Sequence, residues 1–411
     1  MTALRRTRPA LLAVLALALA PPAGRAAPPP PAALDRPAAA IVADASDGHV
    51  LASKHPDERR AIASTTKLMT ALLALERARP REVFAAPAYH PLPGESRIDL
   101  RPGERMTVHD LLNALLLASA NDAAVTLARG IGGSVPRFVA EMNDRAARLG
   151  LTETHYANPV GLDSPGNYSS ARDLARLAEH LMRDRRFARI VDRPSALLRS
   201  GDRRRLVRNR NDLVARYPWV DGVKTGYTPM AGNVLVAAAR GAGGAAVISV
   251  VMGEPTEAAR DSDSLALLRF GLSRFRPVRA LDPRRPVARP KVRYRSGRAE
   301  LVPAHGLTVA LRRGQRLRRS VDAPDRVKGP LAAGTRVGWV TVRRDGRRVA
   351  RVPLVTARAV PGAGTLRVLA SVLRVPLTFA VALGILVAVV LTARRSRLPG
   401  ARRGRGRTRS P

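Results

Sequence analysis

Apolar residues change their spacing four times along this chain, and the order of those changes limits the folds open to it. "AAIVADASDGHVLASK", residues 39–54, reads as a hairpin of two short apolar strands around Asp47-Gly48. Helical periodicity follows from Ser64 to about Met182. After "VDGVKTG" the pattern turns to β, with "NVLVAAARG", a Gly-rich turn and "AAVISVVMG". A helix is expected from about Thr256 to Arg274. Residues 278–356 then carry short Val-rich segments with frequent Gly and Pro, and a hairpin at Asp345-Gly346. A mixed α/β (α+β) domain over 38–277 and a small all-β domain over 278–356 follow from this order.

Local signals refine the helical stretch. Thr107 and Asp110 form a capping box before "LLNALLLA", and Ser134, Pro136 and Gly150 mark the start and end of another helix. Residues 27–37, "APPPPAALDRP", read as an extended Pro/Ala linker, and 357–374 as a second linker.

The two ends of the chain set its compartment. Arg5, Arg6 and Arg8 precede an apolar run from Ala10 to Ala20, and Gly24 and Ala26 precede a plausible cut, so residues 1–26 read as a secretory signal peptide. Residues 375–393 contain no charge over 19 positions, enough to cross hydrocarbon as a transmembrane helix. Eight Arg and no acid follow in the tail 394–411, which is the pattern of a cytoplasmic side. The expected layout is an extracytoplasmic body tethered to the cell membrane by its C-terminal helix. The formal charge of +39 would ordinarily suggest nucleic acid, but that location argues against such a partner. There is no Cys, and the seven His show no ligand spacing, so neither a metal nor another cofactor is expected.

Of 71 basic residues only five are Lys, and two of these five sit in chemically suggestive places. Lys67 stands three residues after Ser64, so on a helix the amine reaches the hydroxyl. Lysine can lose its proton when buried beside other cations and serve as a base, which arginine cannot do. A Ser hydroxyl needs such a base to become a nucleophile. Ser119-Ala120-Asn121 falls where one apolar helix ends and another begins, which points a hydroxyl and an amide into a cleft or merely caps the second helix. Lys224-Thr225-Gly226 lies on a strand edge, where a cation and a hydroxyl suit a substrate carboxylate and Gly leaves room for substrate.

Ser-x-x-Lys, Ser-x-Asn and Lys-Thr-Gly in this order form the motif set of the penicillin-recognising serine enzymes. The blocks "ASTTKLMTA", "SANDAA", "NPVGLDSPGNYSSARDLARLA", "NRNDLV" and "VDGVKTGYTPMAGNVLVA" resemble, more closely, the low-molecular-mass penicillin-binding proteins that are D-alanyl-D-alanine carboxypeptidases of peptidase family S11. "LVPAHGLTVALRRG" and "LAAGTRVGWVTVRRDGRRVARVPLV" resemble that family's C-terminal β domain, so the likeness covers about residues 38–356. It implies a β-lactamase/DD-peptidase-like fold, an antiparallel sheet flanked by helices. It also implies peptidoglycan stem peptides as substrates and β-lactam antibiotics as covalent inhibitors.

Carried over by position, the resemblance makes Ser64 the nucleophile and Lys67 its base. Ser119 relays a proton to the leaving amine with help from Lys224, and Asn121 holds the substrate amide. Lys224 and Thr225 receive the terminal carboxylate, Gly226 leaves space, and the N–H groups of Ser64 and Tyr227 form the oxyanion hole. Three departures stand out: Ile62 where Pro is usual, Ala120 where Gly is common, and Tyr227 where His is frequent. A class A β-lactamase would need a Glu-x-x-x-Asn loop, and none of Glu141, Glu153 and Glu179 is followed by Asn at that distance. A DD-endopeptidase of the same family and an inactive wall-associated binding module are the other readings.

Overall fold

The computed structural model describes residues 31–395; the expected signal peptide and most of the basic tail lie outside the described residues. The N-terminal hairpin forms as read, with β1 (Ala39–Asp44) pairing antiparallel to β2 (Val50–Lys54). Gly48 closes it at a φ of 73°, in the left-handed region that suits glycine. The helical region supplies α1 (Lys67–Arg77), α2 (Val108–Asn113), α3 (Asn121–Gly132), α4 (Val135–Arg148) and α5 (Ala171–Met182). The later β segments become β3 (Val220–Thr228), β4 (Gly232–Arg240) and β5 (Ala246–Glu254), and α6 (Glu257–Ser273) follows with Thr256 as its N-cap.

These strands make one antiparallel sheet of order β2-β1-β5-β4-β3, so the N-terminal hairpin inserts beside strands two hundred residues away in the chain. β1 is buried at all six positions because both faces of the sheet are covered. Ile41, Val234, Val236 and Val250 face the core shared with α1 to α5, while Val42, Leu235 and Val251 face Leu267 and Leu268 of α6. β3 is left as an edge strand.

Four expectations need correction. Helical periodicity fails over residues 78–107, which hold Pro80, Pro87, Pro91, Pro93 and Pro102 and run as loop apart from a short pairing of Val83–Ala85 with Arg105–Thr107. Proline lacks the N–H and clashes with the preceding turn, so local chemistry overrides the apolar spacing there. Residues 149–170 also leave the helical pattern, as a loop and one short strand. The capping box is half formed: Thr107 Oγ1 accepts from Asp110 N at 3.2 Å, but the Asp110 carboxylate instead takes the N–H groups of Arg199 and Ser200. The described end of the first linker is not extended, because Ala32–Leu34 forms a turn whose Ala33 and Leu34 are buried beside α6.

The C-terminal strands are β6 (Phe275–Leu281), β7 (Leu301–Pro303), β8 (Leu307–Arg312), β9 (Leu317–Asp322), β10 (Arg336–Arg344) and β11 (Arg347–Thr356). β6 pairs with β8, and the other four form a sheet of order β7-β11-β10-β9. The β10–β11 turn falls at Asp345-Gly346 as read, with both residues at positive φ. Helix α7 (Thr365–Arg395) contains the uncharged run. Among the residues whose side chains are described, which omit 369–377 of this helix, no helix is long and apolar enough to cross a membrane.

Candidate active site

The nucleophile turn is built from both directions. Ala63–Thr66 forms a single tight turn that runs into α1, and this places Ser64 beside the first residues of that helix. Lys67, the first residue of α1, is fully buried, and its Nζ lies 2.8 Å from Ser64 Oγ. Nζ also donates to the Val160 carbonyl at 2.5 Å. That carbonyl is fixed by a turn in which Asn158 Oδ1 accepts from the N–H groups of Val160, Gly161 and Leu162. The same turn offers the Pro159 carbonyl to Thr70 Oγ1 at 2.7 Å. The block "NPVGLD" is therefore the brace behind the Ser–Lys pair.

Burial pushes the Lys67 amine down to about 7, with Glu95 opposing the shift and Arg210 adding to it. Near neutral pH a large share of Lys67 is unprotonated and 2.8 Å from the hydroxyl it would activate. Below about 7 the amine is protonated and loses its capacity as a base. Acylation rates should therefore fall about tenfold per unit on the acid side of that value, read as kcat/KM or as the second-order rate with benzylpenicillin. A profile flat through that region would remove Lys67 from the step.

Ser119 occupies the break between α2 and α3. The last turn of the first helix widens over Ala114–Ala118, Ser119 takes φ 62° and ψ 28°, and Ala120 is the residue that caps α3. The Ser119 hydroxyl makes no cap bond. It accepts instead from Lys224 Nζ at 2.9 Å, which resolves the cap-or-cleft choice in favour of the cleft. Lys224 Nζ donates also to the Thr225 carbonyl at 2.8 Å and is 1% exposed. Burial, with Lys67 and Arg210 nearby, holds its amine well below the usual lysine range. Such a group suits proton exchange with Ser119 better than reading a carboxylate.

β3 brings Thr225, Gly226 and Tyr227 against the nucleophile turn. A Cβ at Gly226 would stand 3.0 Å from Ser64 N and from Ala63 Cβ, so this strand needs a glycine to approach so closely. Thr225 is buried, and Tyr227 is 62% exposed at the rim. The Asn121 amide is buried but does not face an open cleft on its nitrogen side: Nδ2 donates to Glu95 Oε2 at 2.7 Å. All eight expected residues thus surround one place. Ser64, Ser119, Thr225, Gly226 and Tyr227 line a cleft of about 840 Å³, with Lys67, Lys224 and Asn121 behind it.

Sequence reasoning missed Glu95, Arg210 and Arg260. Arg210 and Arg260 line the cleft, and Arg260 is 3% exposed between Glu257 and Asp261. In a chain that writes nearly all its positive charge as Arg, no local signal separates Arg260 from the surface, and Arg210 falls within the block "NRNDLV" without standing out from it. Glu141, Glu153 and Glu179 lie away from the cleft, paired with Arg77, Arg59 and Arg183. No lining residue comes from beyond Arg260, so among the described residues the β strands after 275 contribute nothing to the cleft wall.

A serine beside a buried lysine held well below the usual lysine range, with a second Ser–Lys pair opposite, defines an acyl-transfer site of the serine type. Comparison with known proteins agrees. The family model described as D-alanyl-D-alanine carboxypeptidase, peptidase S11, matches residues 27–256, and that of the C-terminal domain of penicillin-binding protein 5 matches 286–362. The chain belongs to the S11 D-alanyl-D-alanine carboxypeptidase family. It is 32% identical over 337 residues to the D-alanyl-D-alanine carboxypeptidase DacF of Bacillus subtilis, covering 79% of this chain and 86% of that one. Penicillin-binding protein 5 of Haemophilus influenzae superposes with a TM-score of 0.57 at 30% identity, over 81% of this chain and 99% of that one. A Streptomyces K15 DD-transpeptidase superposes with a TM-score of 0.56 at 30% identity, over 58% of this chain and 98% of that one.

Proposed function

We propose that this protein is a serine-type D-Ala-D-Ala carboxypeptidase that removes the terminal D-Ala of peptidoglycan stem pentapeptides, and that β-lactams acylate the same serine. The observation that carries the reading is Lys67 Nζ, buried and 2.8 Å from Ser64 Oγ in a chain of this family. Lys67 takes the proton of Ser64, whose oxygen attacks the carbonyl between the two D-Ala residues. The N–H groups of Ser64 and Tyr227 hold the resulting oxyanion, each donor typically worth about 2.7–4 kcal/mol. Ser119, backed by Lys224, delivers a proton to the leaving amine. Asn121 holds the substrate's amide. Water then cleaves the acyl-enzyme.

The terminal carboxylate of the substrate meets Thr225 and the cleft arginines. A guanidinium offers fixed charge and a forked donor set, whereas burial disfavours the Lys224 amine as a cation. Charge-assisted bonds to such a carboxylate contribute about 1.5–3 kcal/mol each. Amidating the substrate's terminal carboxyl should thus lower kcat/KM at least about tenfold. The measurement is release of D-Ala from the free-acid stem pentapeptide, and of D-alaninamide from its amidated form, by the solubilised full chain. Equal rates on the two would favour an endopeptidase, and no release from either would remove the carboxypeptidase reading.

The setting is proposed likewise: a catalytic body outside the cell membrane, delivered by the signal segment 1–26 and tethered by a single span over 375–393, with the tail inside. Its support is the 19-residue charge-free run and the exposure of every described side chain from Thr378 to Ala393. Protease added to intact cells should remove the body and spare a tag placed after Pro411. Loss of that tag would reverse the orientation.

A further inference from the structure

Loop 86–104 brings one carboxylate to the back of the site. Glu95 Oε2 accepts from Asn121 Nδ2 at 2.7 Å and also from the Tyr89 hydroxyl, and Glu95 Oε1 accepts from Leu92 N at 2.8 Å. The Asn121 backbone is held by the same loop, its N–H donating to the Ser96 carbonyl at 2.7 Å. Asn121 Oδ1 is buried with no partner. An ionised carboxylate only accepts, so Nδ2 must be the end that faces Glu95. The orientation of the Asn121 amide is therefore decided by Glu95, and Oδ1 is left for another group. The N–H of a substrate amide complements that acceptor.

We propose that Glu95 is a positioning residue for acyl transfer, one whose carboxylate fixes the orientation of the Asn121 amide. The inference rests on the functional reading above. Glu95 is suited to the task. Burial raises its proton affinity, but the bonds from Asn121, Tyr89 and Leu92 outweigh this and hold it below the usual carboxylate range, so it stays ionised. Around Lys67, Glu95 and Asp122 favour the ammonium while Arg210 disfavours it, and Lys67 in turn disfavours charge on Lys224. The Asp122 carboxylate is already engaged by the N–H groups of Ile98, Leu100 and Ala123. Glu95 is thus the anion that orients the Asn121 amide, and its charge also favours the ammonium of Lys67.

The test uses the solubilised full chain and compares wild type, Glu95→Gln and Glu95→Asp. It measures the pH profile of benzylpenicillin acylation, together with D-Ala release. Glu95→Gln keeps the shape and removes the charge, so the acid limb should move to lower pH by at least about half a unit. Its plateau should fall at least about threefold, because a carboxamide presents a donor as readily as an acceptor to Asn121. Glu95→Asp keeps the charge but shortens the reach: the limb should stay in place while the plateau falls. A Glu95→Gln plateau that drops with the limb unmoved marks a merely structural role and overturns the proposal. So does a profile identical to wild type. If Glu95→Gln does not fold, an undiminished plateau in Glu95→Asp overturns it, and a diminished one with the limb in place supports it. A wild-type chain that is never acylated would instead bring down the functional reading, and this inference with it.

Discussion

Replacing Lys67 by Arg should reduce acylation of Ser64 by about 10²–10⁴-fold, the contribution general-base catalysis usually makes. The substitution keeps a cation and hydrogen-bond donors next to Ser64 Oγ and the Val160 carbonyl, the two groups that Lys67 Nζ now touches. What it removes is the ability to take a proton, since a guanidinium stays charged in a protein. The wild-type amine is poised for that exchange because burial lowers it to about 7. Intact-mass kinetics with benzylpenicillin measure the effect, and a thermal melt checks that the variant folds. A folded variant that keeps more than about a tenth of wild-type acylation would assign Lys67 a structural role only.

Gly161→Ala should be nearly as damaging, although residue 161 reacts with nothing. Its φ of 91° is one that L side chains rarely adopt, and an added Cβ would stand 2.0 Å from the Ala63 carbonyl oxygen and 3.0 Å from Ser64 N. Backbone strain of this kind costs about 1–3 kcal/mol, before any clash with the nucleophile turn. Relief requires the turn at 158–162 or that at 63–66 to move, and both define the distance between Ser64 and Lys67. The expected result is at least about a hundredfold loss of acylation, from the steep dependence of catalysis on placement, with a lowered melting temperature. Wild-type acylation in Gly161→Ala would show that the brace is dispensable.

Much of the site was legible in the sequence because its parts are short-range. Ser64 and Lys67 are one helical turn apart, and Lys224, Thr225 and Gly226 are neighbours on one strand. The residues left unread reach the site over long distances. Glu95 comes from a proline-rich loop hidden inside an apparent helical stretch, and it meets Asn121 26 positions later. Val160 meets Lys67 across 93 positions. Arg210 and Arg260 are buried or cleft-facing members of a crowd of arginines, and only their surroundings distinguish them.

The sequence alone determined the order of strands and helices, the turns at Gly48 and Asp345-Gly346, and the three motifs with their family. Each of these rests on local propensity, turn chemistry or fixed spacing, which act within a few residues. Tertiary structure decided the rest. β1 was inserted between β2 and β5, helices covered both faces of the sheet, and β3 was left at its edge. Packing then removed Lys67 and Lys224 from water, and it is that loss of solvation, a property of the surrounding fold, that turns two ordinary ammonium groups into candidates for moving protons.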